Sequence, residues 1–265
     1  MDERQVAAFY DVVGNTYDQS LYFLACETPY QREIRRLSAG RRFRRLVDLG
    51  CGTGKQTVVL APLADEVVAV DISASSLQQA EARCTRANIR NVRYLEESIV
   101  SLSLDSGSVD GIFSYGDVIS HVHDAYRLVF RECARILRPG GFAAFEVDGK
   151  WELDMLLHNR EERARARAAR GLGHLRLWRD IPCKTFTDRE LRGDLAAAGL
   201  RVVGMRGVNI LHCLLPESVL MGLPSEVGAG WRSLSSVLRG VDGVVARLPW
   251  FYRLASTRLV VAVKE

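Results

Sequence analysis

The chain has 265 residues, 48% of them hydrophobic and 26% charged, with a net charge of +4. That is enough for one large α/β domain with insertions and a core that needs no disulfide or metal staple. The charge excess is too small to mark a nucleic-acid partner, no apolar run reaches the roughly 18 residues needed to span a bilayer, and Met1-Asp2-Glu3-Arg4 is not the start of a signal peptide.

From about residue 44 to 148, short β-like runs alternate with helical stretches. Arg45-Leu46-Val47-Asp48-Leu49 reads as a buried strand ending at glycine. A helix over 55–63 stops near Pro62, and Glu66 to Asp71 is the second strand. Ser73 caps a helix running to about Ala87. Val92 to Leu95 and Val109 to Ser114 are the third and fourth strands. Residues 124–137 carry apolar positions at helical spacing, Pro139-Gly140-Gly141 ends that helix, and Phe142 to Val147 is the fifth strand. This alternation predicts a parallel sheet with helices on both faces. Beyond Asp148 the pattern changes. Residues 151–171 form an arginine-rich helical stretch, and Thr187-Asp188-Arg189-Glu190 is a capping box. Leu200 begins a sixth strand, residues 209–256 are apolar and helical between prolines, and Arg258 to Val263 is the last strand.

Chemistry concentrates first at Val47-Asp48-Leu49-Gly50-Cys51-Gly52-Thr53-Gly54. Three alternating glycines let the backbone turn tightly and approach a ligand, and the following helix offers its N-terminal amides. Asp71, ending the second strand, can accept the two hydroxyls of a ribose. A dinucleotide fingerprint needs G-x-G-x-x-G. Counted from Gly50 its third glycine falls on Lys55, and counted from Gly52 it falls on Thr57. Asp48 would repel a pyrophosphate but suits the ammonium of S-adenosylmethionine (SAM), which wants acidic groups and backbone amides.

Val47 to Gly54 resembles motif I of the class I SAM-dependent methyltransferases. Asp71 matches that family's ribose-binding acid. Val109 to Phe113 and Leu137-Arg138-Pro139-Gly140-Gly141 resemble its approaches to the fourth and fifth strands. The resemblance covers roughly residues 44–148, with weaker echoes at 187–207 and 258–264. It implies a doubly wound, seven-stranded, mostly parallel α/β sheet of Rossmann-like type with a helical cap. In it the last strand inserts antiparallel beside the fifth. It also implies SAM as cofactor, held by Asp48, Gly50, Cys51, Gly52, Gly54, Asp71, Ile72, Ile99, Ser114 and either Glu97 or Ser98, the latter pair at the adenine-contacting position. Phe9-Tyr10-Asp11 and Tyr17-Asp18 resemble the family's lid helix, where Tyr17 is the candidate for the methionine carboxylate and helix packing is the equal alternative.

The loop Ser114 to Asp124 faces the transferred methyl in that family. It carries His121 and His123, candidates for a general base or for a helix cap; no separate motif supports a metal there. Tyr10, Tyr115 and Trp151 are the substrate-binding candidates. Arg160, Arg163, Arg167 and Arg170 share one helix face and read better as a solvated face than as a nucleic-acid clamp. The six cysteines form no CxxC pair and show no metal-ligand spacing, which suits free thiols and a reducing cytoplasm.

The expected organisation is an N-terminal lid over 1–40, a SAM-binding core over 41–148, a helical cap insertion over 149–186 and a C-terminal sheet portion over 187–265 with a second helical insertion at 209–256. The expected activity is methyl transfer to an O, N or C nucleophile of a mid-sized, partly apolar small molecule, lipid-like molecule or modified peptide. Two rivals remain at this stage: an RNA or protein methyltransferase, and a SAM-binding protein without transferase activity.

Overall fold

The computed structural model describes residues 3–13, 17–170, 172–178, 181–246, 248 and 250–265. Two helices lead in, α1 (Glu3–Val13) and α2 (Leu21–Ser38). Then come β1 (Phe43–Leu49), α3 (Lys55–Leu60), β2 (Ala64–Asp71), α4 (Ala74–Arg86), β3 (Val92–Glu96) and β4 (Val109–Ser114). A four-residue helix α5 (Val118–His121) precedes α6 (Tyr126–Ile136) and the long strand β5 (Leu137–Gly149). Next are α7 (Leu153–His158), α8 (Arg160–Ala168), β6 (Leu175–Trp178), β7 (Ile181–Phe186), α9 (Asp188–Ala197) and β8 (Leu200–Val208). The chain closes with α10 (Glu217–Leu220), α11 (Ala229–Val245) and β9 (Thr257–Lys264).

Seven strands form the expected sheet, in the order β3-β2-β1-β4-β5-β9-β8. The first five run parallel, and β9 lies antiparallel between β5 and β8. The central strands are buried along most of their length because helices cover both faces. On one face α6 contributes Tyr126, Val129, Phe130, Cys133 and Ile136, all sealed from solvent. Burying side chains of the size of Val129, Phe130 and Ile136 stabilises by about 1.5–3 kcal/mol each. On the other face α2 packs Cys26, Tyr30 and Ile34 against β1 and β4.

The buried carboxylate of Glu146 knits this second face together. It accepts from Tyr30 of α2, from Thr257 Oγ1 of β9 at 2.7 Å and from the Gly116 amide at 2.7 Å. Burial raises its pKa, and these donors oppose the rise.

One expectation is corrected here. Residues 149–186 are not wholly helical: β6 and β7 form an antiparallel hairpin, bringing the described strands to nine. The cause lies in β5, which outruns β4. The pairing of β4 ends at Ser114 opposite Phe145, leaving the next part of that β5 edge open, and β7 docks there in parallel, Thr185 opposite Asp148 and Phe186 opposite Gly149. Arg258, buried in β9, holds the junction by donating to the Phe186 carbonyl at 2.9 Å. The arginine-rich stretch is broken at Asn159, which caps α8 through the Glu162 amide at 2.9 Å. The Thr187–Glu190 capping box of α9 forms as expected. All six cysteines are buried, and none forms a disulfide. Among the described residues no helix is long and apolar enough to cross a membrane.

Candidate active site

The C-terminal ends of β1, β2 and β4 open onto a cavity of about 330 Å³. Its floor is the glycine loop. Gly50 has φ +73° and packs so closely that a Cβ there would sit 2.5 Å from the Val118 side chain. Gly54 has φ +78°, and its Cβ would meet the α4 backbone at Ala80 at 2.7 Å. Both positions therefore demand glycine, for conformation and for space. Asp71 ties the loop to β2: Oδ2 accepts from the Gly52 amide at 2.7 Å and Oδ1 from the Ser73 amide at 3.0 Å. Burial raises the Asp71 pKa, while those amide donors hold it down. Ile72, Ser76, Ser98 and Ile99 continue the wall, and Tyr10, Tyr115, His121 and His123 close it.

The N-terminal segment is strapped over this loop. Thr53 Oγ1 donates to Asp18 at 2.7 Å, Arg83 reaches the same carboxylate at 3.3 Å, and Lys55 donates to the Asp18 carbonyl and to Glu27. Sequence reading missed this strap, because Asp18 and Arg83 lie far apart in the chain and match no local pattern.

A second cavity of about 500 Å³ adjoins the first and shares Tyr10, Gly116 and His121 with it. Apolar groups from the 209–256 region, including Leu214, Leu215 and Leu220, line one side. Asp117, Asp148, Glu152 and Arg176 line the other. His121 stands at the junction, with Nε2 2.9 Å from the Tyr10 hydroxyl and Nδ1 3.5 Å from Cys183 Sγ. Burial, and secondarily the charge of His123, lowers its pKa to about 4, so it is neutral at physiological pH. His123 differs: its Nε2 lies 2.7 Å from the Pro182 carbonyl, an acceptor, so it donates there and anchors the β7 hairpin to the loop. No group of three or more His, Cys, Asp or Glu among the described residues could hold a metal ion.

Residues 46–141 match the family model for a methyltransferase domain. Over this segment the chain carries a SAM-dependent methyltransferase domain. It is 34% identical over 132 residues to the trans-aconitate 2-methyltransferase of Deinococcus radiodurans, covering 49% of this chain and 48% of that one. It is 29% identical over 104 residues to a ubiquinone biosynthesis O-methyltransferase of Paracidovorax citrulli, covering 39% and 43%. The matches thus span less than half the length of these relatives. Among solved structures, the [4+2]-cyclase SpnF shares the fold at a TM-score of 0.66 and 15% identity, covering 98% of this chain and 95% of that one. A geranyl diphosphate C-methyltransferase from Streptomyces coelicolor, solved with S-adenosylhomocysteine, does so at 0.55 and 18%, covering 89% and 79%.

The cofactor of this methyltransferase family is SAM, and the first cavity fits it. None of the described lining residues is lysine or arginine, so a pyrophosphate would find no cation. A single desolvated carboxylate, Asp71, suits a ribose diol instead. Of the residues singled out by sequence, Gly50, Gly52, Asp71, Ile72, Ser98, Ile99, Tyr10, Tyr115, His121 and His123 all lie on the wall.

Others lie elsewhere. Asp48 is buried beneath the loop, where it accepts from Thr57 Oγ1 at 2.5 Å; burial raises its pKa to about 7. Cys51 packs against Ala69, Leu77 and Ala80, and Gly54 packs on α4. Ser114 donates to the Leu49 carbonyl at 2.8 Å, pinning β4 to β1. Glu97 turns away to accept from the Ser103 amide at 2.9 Å, leaving Ser98 at the cavity. Trp151 lies under the Lys150 ammonium, off both cavity walls. The Tyr17 side chain lies outside the described residues. Val6, Ser76, Gly116 and Val118 join the wall without a sequence signal.

Proposed function

We propose that this protein transfers a methyl group from SAM to an O, N or C nucleophile of a small, partly apolar molecule seated in the second cavity. One observation carries this reading: the two cavities meet only across Tyr10, Gly116 and His121 among their described lining residues. A donor in the first and an acceptor in the second would approach each other at that junction. Bound SAM supplies an electrophilic methyl on a sulfonium, and positioning the two reactants accounts for most of the acceleration such a reaction needs.

The residues of the chain supply the rest. Asp71 orients the ribose. The Gly50–Gly54 loop lets the cofactor lie against the backbone. Tyr10 and the lid helix α1 exclude water. Neutral His121 takes the proton from an O–H or N–H acceptor as the new bond forms. The match to O-methyltransferases of quinone biosynthesis and to trans-aconitate methyltransferase supports a small-molecule acceptor. Of the four arginines considered for a nucleic-acid clamp, Arg163 is committed to the Leu156 carbonyl, which weakens that reading.

The test is release of S-adenosylhomocysteine from SAM with a panel of phenols, carboxylic acids, amines and enolisable ketones. Turnover with one acceptor class is expected. Cofactor binding with no release for any class would favour a SAM-binding protein that is not a transferase.

A further inference from the structure

The second cavity carries an imbalance of charge that the transfer reaction does not use. Arg176 is already paired with Glu152 at 2.7 Å, and His158 is paired with Asp154 at 2.8 Å. With those pairs set aside, Asp117, Asp148 and the exposed Glu217 remain on the wall, which also holds His121. Asp117 ends β4's loop in the left-handed region, at φ 59°, and lines the cavity. Asp117 is half-buried, but its Oδ1 is shielded from solvent and has no hydrogen-bond donor among the described residues. An unsatisfied buried carboxylate oxygen is costly. Asp148 faces it from the end of β5. Burial raises the pKa of both; the charge of Asp148 adds to the rise in Asp117, and the Arg176 guanidinium opposes the rise in each. Glu146, just beneath, adds a third negative charge, but its own oxygens are filled by Tyr30, Thr257 and Gly116. Two facing acids, one with an orphaned oxygen, want a donor-rich cation. Among the described residues no metal-ligating cluster exists that could supply one.

We propose that the acceptor molecule carries an aliphatic ammonium group, bound by Asp117 and Asp148, with its apolar body against Leu214, Leu215 and Leu220. This rests on reading the second cavity as the acceptor site. The ammonium donates to the free oxygen of Asp117 and relieves the repulsion between the two acids. It acts as a recognition handle that fixes the rest of the molecule at the His121 junction.

The test uses full-length protein saturated with S-adenosylhomocysteine, whose own binding is measured first. Three matched pairs are titrated: benzylamine and benzyl alcohol, phenethylamine and 2-phenylethanol, tryptamine and tryptophol, with phenylacetate as the anionic control. At least one amine should bind saturably and at least tenfold more tightly than its alcohol, with phenylacetate weakest. Asp117→Asn should abolish that preference while cofactor affinity stays within twofold. Asparagine tolerates the left-handed backbone of position 117, so this variant keeps the loop. Asp148→Asn provides the second, independent reduction. Alcohols or phenylacetate binding as well as the amines, no saturable amine binding, or a preference that survives Asp117→Asn would each overturn the proposal. Failure of S-adenosylhomocysteine to bind would instead overturn the functional reading beneath it.

Discussion

His121→Ala is expected to lower turnover by on the order of 10²-fold while leaving cofactor affinity near wild type. His121 lies where the two cavities meet, and its Nε2 is hydrogen-bonded with Tyr10. The magnitude follows from its basicity. Burial lowers its pKa to about 4, well under the ordinary histidine value of about 6.5, so it is always available as a base at neutral pH but is a weak one. The loss should therefore fall at the lower end of the range for general-base catalysis. The pH profile carries the sign. His121 is neutral above its lowered pKa, so its contribution is constant from pH 6 to 8 and is lost as pH falls through about 4. A limb near pH 6.5 would mean that another group is titrating.

Tyr10→Phe keeps the ring and removes the hydroxyl that orients His121, so it should reproduce part of the loss. His123→Ala should chiefly loosen the β7 hairpin, through its bond to Pro182, and appear as reduced stability with kcat retained. Equal turnover in wild type and His121→Ala would assign catalysis to positioning alone.

Asp71→Ala should weaken SAM by about 1–3 kcal/mol, roughly 5- to 150-fold, because buried ribose hydroxyls lose their acceptor. The carboxylate has a second task, since it also holds the Gly52 and Ser73 amides at 2.7 and 3.0 Å. Asp71→Asn keeps one acceptor oxygen and should lose less. The fold should survive both changes: burial already disfavours the Asp71 charge, so removing it relieves a desolvation penalty. Calorimetric titration reads the effect, and unchanged affinity in a folded Asp71→Ala protein would show that the ribose lies elsewhere.

Much of the first cavity was legible because its signals are local. The spacing of Gly50, Gly52 and Gly54 at a strand end, and an acid ending the next strand, are contiguous features of the chain. The same locality misled for Asp48 and Ser114, whose positions near the motif say nothing of whether their side chains turn up to the cavity or down into the core. Glu97 and Ser98 differ by one residue, and in a bend after β3 that residue decides which side chain faces the cavity. The β6–β7 hairpin was illegible for another reason. Its docking edge exists only because β5 outruns β4, a property of strand lengths in the assembled sheet. The charged wall of the second cavity combines Asp117 of the β4 loop, Asp148 at the end of β5 and Arg176 of β6, which no single window of sequence brings together.

Calorimetric titration of wild-type protein with S-adenosylhomocysteine, and separately with NAD, tests the assignment of the first cavity most directly. The glycine loop, the single carboxylate of Asp71 and the lack of any described lysine or arginine on the wall predict saturable one-to-one binding of S-adenosylhomocysteine and no saturable heat with NAD. Saturable NAD binding with no response to S-adenosylhomocysteine would contradict it.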